Sequence, residues 1–269
     1  MPFLGYVGVF LLLPTALVVV QAFGDRSGRP TLGNVRELGQ DYLVTALVNS
    51  LKLSAESAVL GAVLGALVAY AIVSGRPDGL LRRTVTSVCG VFAQFGGVML
   101  AFAFIASVGP IGLATVLLKD HGWDTGGTWL FTLNGLIVVY LYFQIPLMVL
   151  VFLPALDGLR PQWREATESL GGTTWQYWRH VAGPILTPPF LGALLLLFAN
   201  AFSAFATAAA LITQGGIVLP LQIREALTSE VVLGRENVGK AIAMLMIIVV
   251  AVVTALQALL QRRTSRWLR

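Results

Sequence analysis

Apolar stretches about as long as a bilayer is thick recur six times along the chain, separated by short polar segments. They cover residues 3–23, 49–73, 85–108, 130–153, 190–212 and 241–260 and predict six transmembrane helices. The expected fold is all-α, a polytopic membrane protein with residues 1–269 as a single transmembrane domain. Residues 3–23, broken only by Pro14 and Gln21, have a competing reading as a signal peptide, because Val20 and Ala22 are spaced like a cleavage site. The run is long and lacks a basic leader, so it is read as the first span, with a short inner extension expected ahead of residue 1.

Polar residues inside the spans narrow the picture. Lys52 and Glu56, four apart near one end of the second span, predict a pair on a helix face, or else a place on a pathway. Gly61 and Gly65 have the small-xxx-small spacing that lets two helices approach closely. Gln94 beside Gly96 and Gly97, then Asn134, Gln144, Asn200, Ser203 and Thr207, are the polar side chains set deepest. Each either bonds a neighbouring helix or faces an aqueous path. Pro146 predicts a kink in the fourth span.

Residues 160–189 are polar yet carry helix signals. Pro161 suits a first helical position, residues 162–170 are good helix formers, and Gly171 and Gly172 form a stop. Trp163, Ala166 and Leu170 share one face, away from Glu165, Glu168 and Ser169. Thr173 and Gln176 have the spacing of a capping box for a second helix, expected to be interrupted by Gly183 and Pro184. Such an amphipathic helix is either an interfacial element with tryptophans at headgroup level or a docking element for a cytosolic protein.

Composition agrees with a membrane protein: 57% hydrophobic and 12% charged residues, with mean hydropathy +0.81. The net charge of +5 comes from arginines scattered through short loops rather than gathered on one face, which excludes a nucleic-acid surface. With the first span running outward, the segments 74–84 and 156–187 and the tail after 260 hold ten Lys and Arg against six in the opposite loops. That excess places residues 156–187 and both termini in the cytoplasm. The basic turn holds Arg76, Arg82 and Arg83 around Pro77 and Gly79, and the tail holds Arg262, Arg263, Arg266 and Arg269. The opposite loops, 24–41, 109–129 with Asp124, and 214–239 starting at Gln214, are read as irregular, the second with a short interfacial helix. One cysteine, Cys89, and two distant histidines, His121 and His180, offer neither a metal cluster nor a nucleophile with its base.

The order Glu165, Ala166, then Gly171, then Val181, then Pro184 resembles the hallmark Glu-Ala-Ala loop of the permease subunits of bacterial ABC importers. Thr167 stands where the second Ala is usual and Gly183 where Leu precedes Pro. The run 95–113, with Asn49-Ser50-Leu51, Ile145-Pro146 and Phe205-Ala206-Thr207, resembles the branch that carries polyamines, ferric iron, thiamine or aminoalkylphosphonates. The similarity thus extends over essentially the whole chain.

The resemblance implies a type I importer permease of the bacterial inner membrane, with a cytoplasmic coupling helix. Glu165, Ala166, Glu168, Leu170, Gly171, Val181 and Pro184 would then couple to the ATPase. It also implies two cytosolic ATPase subunits, a second and related but non-identical permease, and an extracytoplasmic solute-binding protein. Solute would pass between the permeases, along some of Gln94, Asn134, Gln144, Asn200, Ser203 and Thr207. The chain has no phosphate-binding Gly-Lys-Ser/Thr loop, so it is not expected to hydrolyse ATP itself, and without a nucleophile and base or paired carboxylates at membrane depth no enzyme activity is expected of it; ATP and Mg²⁺ would belong to the partner. A carbohydrate importer is the alternative solute class. An ion-driven secondary transporter is a more distant reading, because the spans lack a deep acid or a clear broken-helix repeat.

Overall fold

The computed structural model describes residues 2–24, 29–75, 79–122, 127–212, 217–228 and 236–265. Arg76 and Pro77 of the basic turn, Asp124, Gln214, and Arg266 and Arg269 of the tail lie outside the described residues. Among the described residues the regular elements are helices, apart from one isolated bridge between Gly24 and Pro30. In chain order they are α1 (Pro2–Val7), α2 (Leu13–Ala22), α3 (Gly33–Glu37), α4 (Asp41–Val73), α5 (Leu80–Gln94), α6 (Gly97–Val108) and α7 (Leu113–Asp120). Then follow α8 (Leu133–Asp157), α9 (Pro161–Ser169), α10 (Thr174–Tyr177), α11 (Gly183–Ser203), α12 (Phe205–Leu211), α13 (Leu219–Thr228) and α14 (Glu236–Ser265). Two π turns, Gly8–Leu12 and Trp178–Ala182, join α1 to α2 and α10 to α11.

Among the described residues six helical stretches are long and apolar enough to cross a membrane: Gly5–Ala22, Asp41–Val73, Gly97–Asp120, Leu133–Asp157, Thr174–Ser203 and Asn237–Leu260. The spine is α4 packed along α8. A Cβ at Gly61 would sit 2.7 Å from the Cβ of Gln144, and one at Gly65 would sit 2.5 Å from the Cβ of Met148 and 2.8 Å from the Ile145 carbonyl. The small-xxx-small spacing therefore brings backbone onto backbone. Because the contacts advance by four residues on both helices, α4 and α8 run parallel. α8 continues through Pro146 and Pro154.

Three apolar clusters sit around this spine. Ala62, Met148, Phe152, Leu186 and Leu197 pack toward the α9 end. Leu100, Leu136, Tyr140, Ala208 and Leu211 pack toward the far end, and Phe202, Leu219, Val238 and Ile242 join α11 to α13 and α14. The end of α2 is tied down by amides: Asn34 Nδ2 donates to the Ala22 and Gly24 carbonyls at 3.0 and 2.8 Å, and Asn237 Nδ2 to the Gly24 carbonyl at 3.1 Å. These satisfy carbonyls that a helix end leaves without partners.

Several expected boundaries move, each for a local reason. Residues 85–108 fall across two helices, since the chain breaks at Phe95 and Gly96 and re-enters a helix at Gly97 with φ +73°. The expected interruption at Gly183 and Pro184 is not present: α10, the π turn and α11 form one helical rod over Thr174–Ser203. That rod ends at Ala204, inside the stretch expected to be the fifth span, and α12 follows. The segment 214–239, read as an irregular loop, contains α13, whose start buries Val218, Leu219 and Leu221. Leu219 N–H donates to Ser50 Oγ at 2.8 Å and Asn49 Nδ2 donates to the Ile217 carbonyl at 3.1 Å, so α4 fixes the start of α13.

Candidate functional site

Two regions gather the residues singled out above, and the α10–α11 rod connects them. The first is the loop around α9. Arg160 precedes the helix with extended backbone, φ −74° and ψ 130°, and Pro161 fills the first turn. The helix closes with a Schellman arrangement: Gly171 N–H donates to the Glu168 carbonyl at 3.0 Å and Gly172 N–H to the Thr167 carbonyl at 2.9 Å. Gly171 supplies the left-handed residue, φ +75°, with open space around it.

Gly172 is needed for a different reason. A Cβ there would lie 2.7 Å from Thr167 Cγ2 and 2.8 Å from the Thr167 carbonyl. Thr167 is held in place by its hydroxyl, which donates to the Trp163 carbonyl at 2.8 Å. The threonine that stands in place of the usual alanine thus crowds the second glycine. Thr173 and Gln176 form the expected capping box, with Thr173 N–H to Gln176 Oε1 at 2.7 Å and Gln176 N–H to Thr173 Oγ1 at 3.3 Å.

The other departure from the family pattern is explained by the π turn. Gly183 N–H donates to the Trp178 carbonyl five residues back, and a Cβ at Gly183 would lie 2.6 Å from that oxygen. A leucine at this position would push the turn apart. Trp178 packs edge-on against Tyr70 of α4, ring centroids 5.4 Å apart, and Arg82 of α5 pairs with Asp157 at the end of α8. The base of the loop is therefore joined to α4, α5 and α8. Its surface is not: Glu165, Ala166 and Pro184 are exposed, as are Leu170 at 88% and Trp175 at 71%. Glu168 pairs with Arg164 at 3.0 Å, and Val181 is half-buried in the π turn.

The second region begins at Gln144, where α8 meets Gly61 of α4, and extends to the end of α11. Gln144 is 0% exposed, and its Nε2 donates to the Leu197 carbonyl at 3.0 Å. Because that carbonyl can only accept, the amide orientation is set, and Gln144 Oε1 is left buried without a partner among the described residues. An orphaned acceptor of this kind costs about 1–3 kcal/mol. One turn before it on α8, the Tyr140 hydroxyl donates to the Ala204 carbonyl at 2.8 Å, at the break between α11 and α12. Thr207, 2% exposed, meets the other break: Gly97 N–H donates to its Oγ1 at 2.9 Å, and the hydroxyl donates to the Gly97 carbonyl at 3.3 Å.

Gln94, Asn134, Asn200 and Ser203 behave differently. All four are exposed. Gln94 and Ser203 are the last residues of α5 and α11, so the two breaks present them, and Asn200 lies three residues before Ser203 on the same face. The structure thus divides the polar span residues into helix ties, Gln144 and Thr207, and exposed groups. In the sequence Gly97 and Gly172 are marked only as members of glycine pairs, not as the points of close contact they form here, and nothing local marks Tyr140 or Trp178 for the contacts they make.

The chain matches the family described as binding-protein-dependent transport system inner membrane component over residues 61–266. It is 25% identical over 264 residues to the sulfate transport system permease protein CysW of Synechococcus elongatus, covering 97% of this chain and 87% of that protein. It is 25% identical over 207 residues to the ferric transport system permease protein FbpB of Actinobacillus pleuropneumoniae, covering 73% of this chain but only 28% of that longer protein. Among solved structures, a bacterial ABC transporter involved in the import of the acidic polysaccharide alginate matches with TM-score 0.76 at 18% identity, over 99% of this chain and 93% of that one. The MetNI methionine ABC transporter, in an inward-facing conformation, matches with TM-score 0.59 at 19% identity, over 83% of this chain and 96% of that one. The all-helical architecture with six apolar stretches is that of these importer permeases. The chain therefore belongs to the binding-protein-dependent transport system inner membrane components, the membrane permease subunits of ABC importers.

Proposed function

We propose that this permease forms half of a solute pathway across the bacterial inner membrane and that α9 is its coupling helix, seated in a groove of a cytosolic ATPase. The observation that carries this reading is the rod Thr174–Ser203, which joins the glycine corner after α9 to the break at Ala204 without a gap. A displacement of α9 by the ATPase passes along that rod to Asn200 and Ser203. In this reading Glu165, Ala166, Glu168, Leu170, Gly171, Val181 and Pro184 serve coupling, and both termini are cytoplasmic. Glu165 meets a basic group of the ATPase in a charge-assisted contact. Gln94, Asn134, Asn200 and Ser203 face solute, whereas Gln144 and Thr207 hold the helices that carry them.

The assembly has two ATPase subunits that bind ATP and Mg²⁺, a second and related permease, and an extracytoplasmic binding protein. The solute is a small polar or charged nutrient of the ferric iron, polyamine, phosphonate or thiamine class. Sulfate is the second reading, favoured by similarity to a sulfate permease over 97% of the chain. A thermal-shift screen of the cognate binding protein against ferric complexes, sulfate, polyamines, phosphonates, thiamine and sugars decides among them. For coupling, Glu165→Lys should abolish uptake of the identified solute while the protein stays in the membrane at normal abundance. Normal uptake by that variant would sink the assignment.

A further inference from the structure

The two helix breaks are linked by hydrogen bonds between Gly97 and Thr207. At the first, α5 stops at Gln94 and α6 starts at Gly97, which takes φ +73°. At the second, α11 stops at Ser203 and α12 starts at Phe205, with Ala204 at φ −74° and ψ 92°. Each break strands backbone groups that a continuous helix would have paired. The Thr207 hydroxyl serves the first break from the second helix. It accepts from Gly97 N–H at 2.9 Å and donates to the Gly97 carbonyl at 3.3 Å, across 110 residues of sequence.

We propose that Thr207 is a positioning residue that ties the two breaks into one joint, so that α6 and α12 shift together and neither break opens alone. Three further observations support this. Thr207 is 2% exposed, so its hydroxyl is given over to the neighbouring helix rather than to solvent. The helices approach here without crowding, since a Cβ at Gly97 would meet the Ala206 Cβ at 3.6 Å, an ordinary van der Waals distance. The second break has its own tie to a third helix, the Tyr140 hydroxyl on the Ala204 carbonyl at 2.8 Å. Tyr140 and Gln144 attach α11 to α8 at two levels, and α8 is locked against α4 by Gly61 and Gly65. The spine thus holds the second break, and Thr207 extends that hold to the first.

A threonine suits this task because one hydroxyl both accepts from the Gly97 N–H, which a first helical residue leaves without an intrahelical partner, and donates to the carbonyl of the same residue. Valine has the same shape and neither capacity, while serine keeps both with less bulk. The consequence for transport rests on the permease reading, because in it the joint would carry a movement at one break to the other, and the exposed polar residues Gln94 and Ser203 flank the two breaks on α5 and α11. The joint itself does not depend on that reading.

Hydrogen exchange on the full chain in lipid nanodiscs tests it without solute or partner. Exchange of a buried amide reports the free energy of its local opening. Thr207→Val should speed exchange about fivefold or more at Gly97 and also in the peptide covering residues 204–208, and Thr207→Ser should return both to the wild-type rate. Faster exchange at Gly97 alone, no change at either break, or a serine variant as fast as valine would each overturn the proposal. The last of these would mark a packing role for the methyl group. Tyr140→Phe provides the same test from the other side should the valine variant fail to fold. It removes a hydroxyl from the second break only, so faster exchange at residues 97–100 as well as 204–208 supports the joint, and a change confined to 204–208 refutes it.

Discussion

Gly171 and Gly97 take the same left-handed turn, φ +75° and +73°, in opposite surroundings. At Gly171 the turn is finished locally: the Schellman bonds come from residues within five positions, and no atom stands near the place a Cβ would occupy. At Gly97 the turn is finished by Thr207 on another helix, with the Ala206 side chain in contact distance. A corner built from its own neighbours can sit in solvent and present a surface to a partner. A corner completed by a distant residue transmits whatever moves that residue. The difference matches the proposed roles, with docking at α9 and linkage between spans at the breaks.

The largest effect is expected where the long-range region has its foundation. Gly65→Leu would force α4 away from Met148 and the Ile145 carbonyl, which leave no room for even a Cβ. Overpacking typically costs about 1–3 kcal/mol, and here backbone stands in the way, so the upper end or beyond is expected. Thermal unfolding in detergent should show a drop of several degrees and the membrane abundance should fall. If Gly65→Leu were as stable as wild type, the parallel α4–α8 contact would not be the frame on which the breaks depend.

A direct comparison of the two turns comes next in size. Gly171→Ala meets open space, so it should cost about 1–2 kcal/mol from the left-handed backbone alone. Gly97→Ala carries the same backbone term, and its Cβ would meet the Ala206 Cβ at an ordinary 3.6 Å, but any backbone shift that relieves the strain also loosens the Thr207 bonds, adding about 1 kcal/mol for a weakened hydrogen bond. Thermal unfolding of the two variants side by side measures the gap. Equal destabilisation would erase the distinction between local and long-range corners. A larger loss at Gly171 would reverse it.

The same contrast explains which parts were legible in the sequence. Glycine pairs, Pro161 and the Thr173–Gln176 spacing signal α9, its stop and the next cap because their partners lie within a few residues. The six apolar stretches are visible for the same reason, as composition is local. Gly183 and Pro184 misled because a helix interruption is the usual meaning of that pair. Here Pro184 falls in the first turn of α11 and the π turn shifts the pairing ahead of it, so the rod passes through. The break at Ala204 has no local mark: no glycine or proline stands there, and the group that satisfies its carbonyl, the Tyr140 hydroxyl, is 64 residues away. Likewise α13 looked like loop because its anchors, Asn49 and Ser50, are on α4.

The smallest expected effect sharpens the docking side of the comparison. Glu168 pairs with Arg164 one turn earlier on α9, at 3.0 Å, with both side chains more than half exposed. A solvent-screened pair of this kind contributes about 0.3–0.5 kcal/mol, and Arg preceding Glu is the less favourable order on a helix. Glu168→Gln should therefore leave thermal stability within about 0.5 kcal/mol of wild type. Its effect on copurification with the ATPase should be weaker than that of Glu165→Lys, because Glu165 makes no ion pair among the described residues and presents a free carboxylate. Should Glu168→Gln release the ATPase as fully as Glu165→Lys, the Arg164–Glu168 pair would be part of the docking surface, and α9 would act through its whole charged face rather than through one carboxylate.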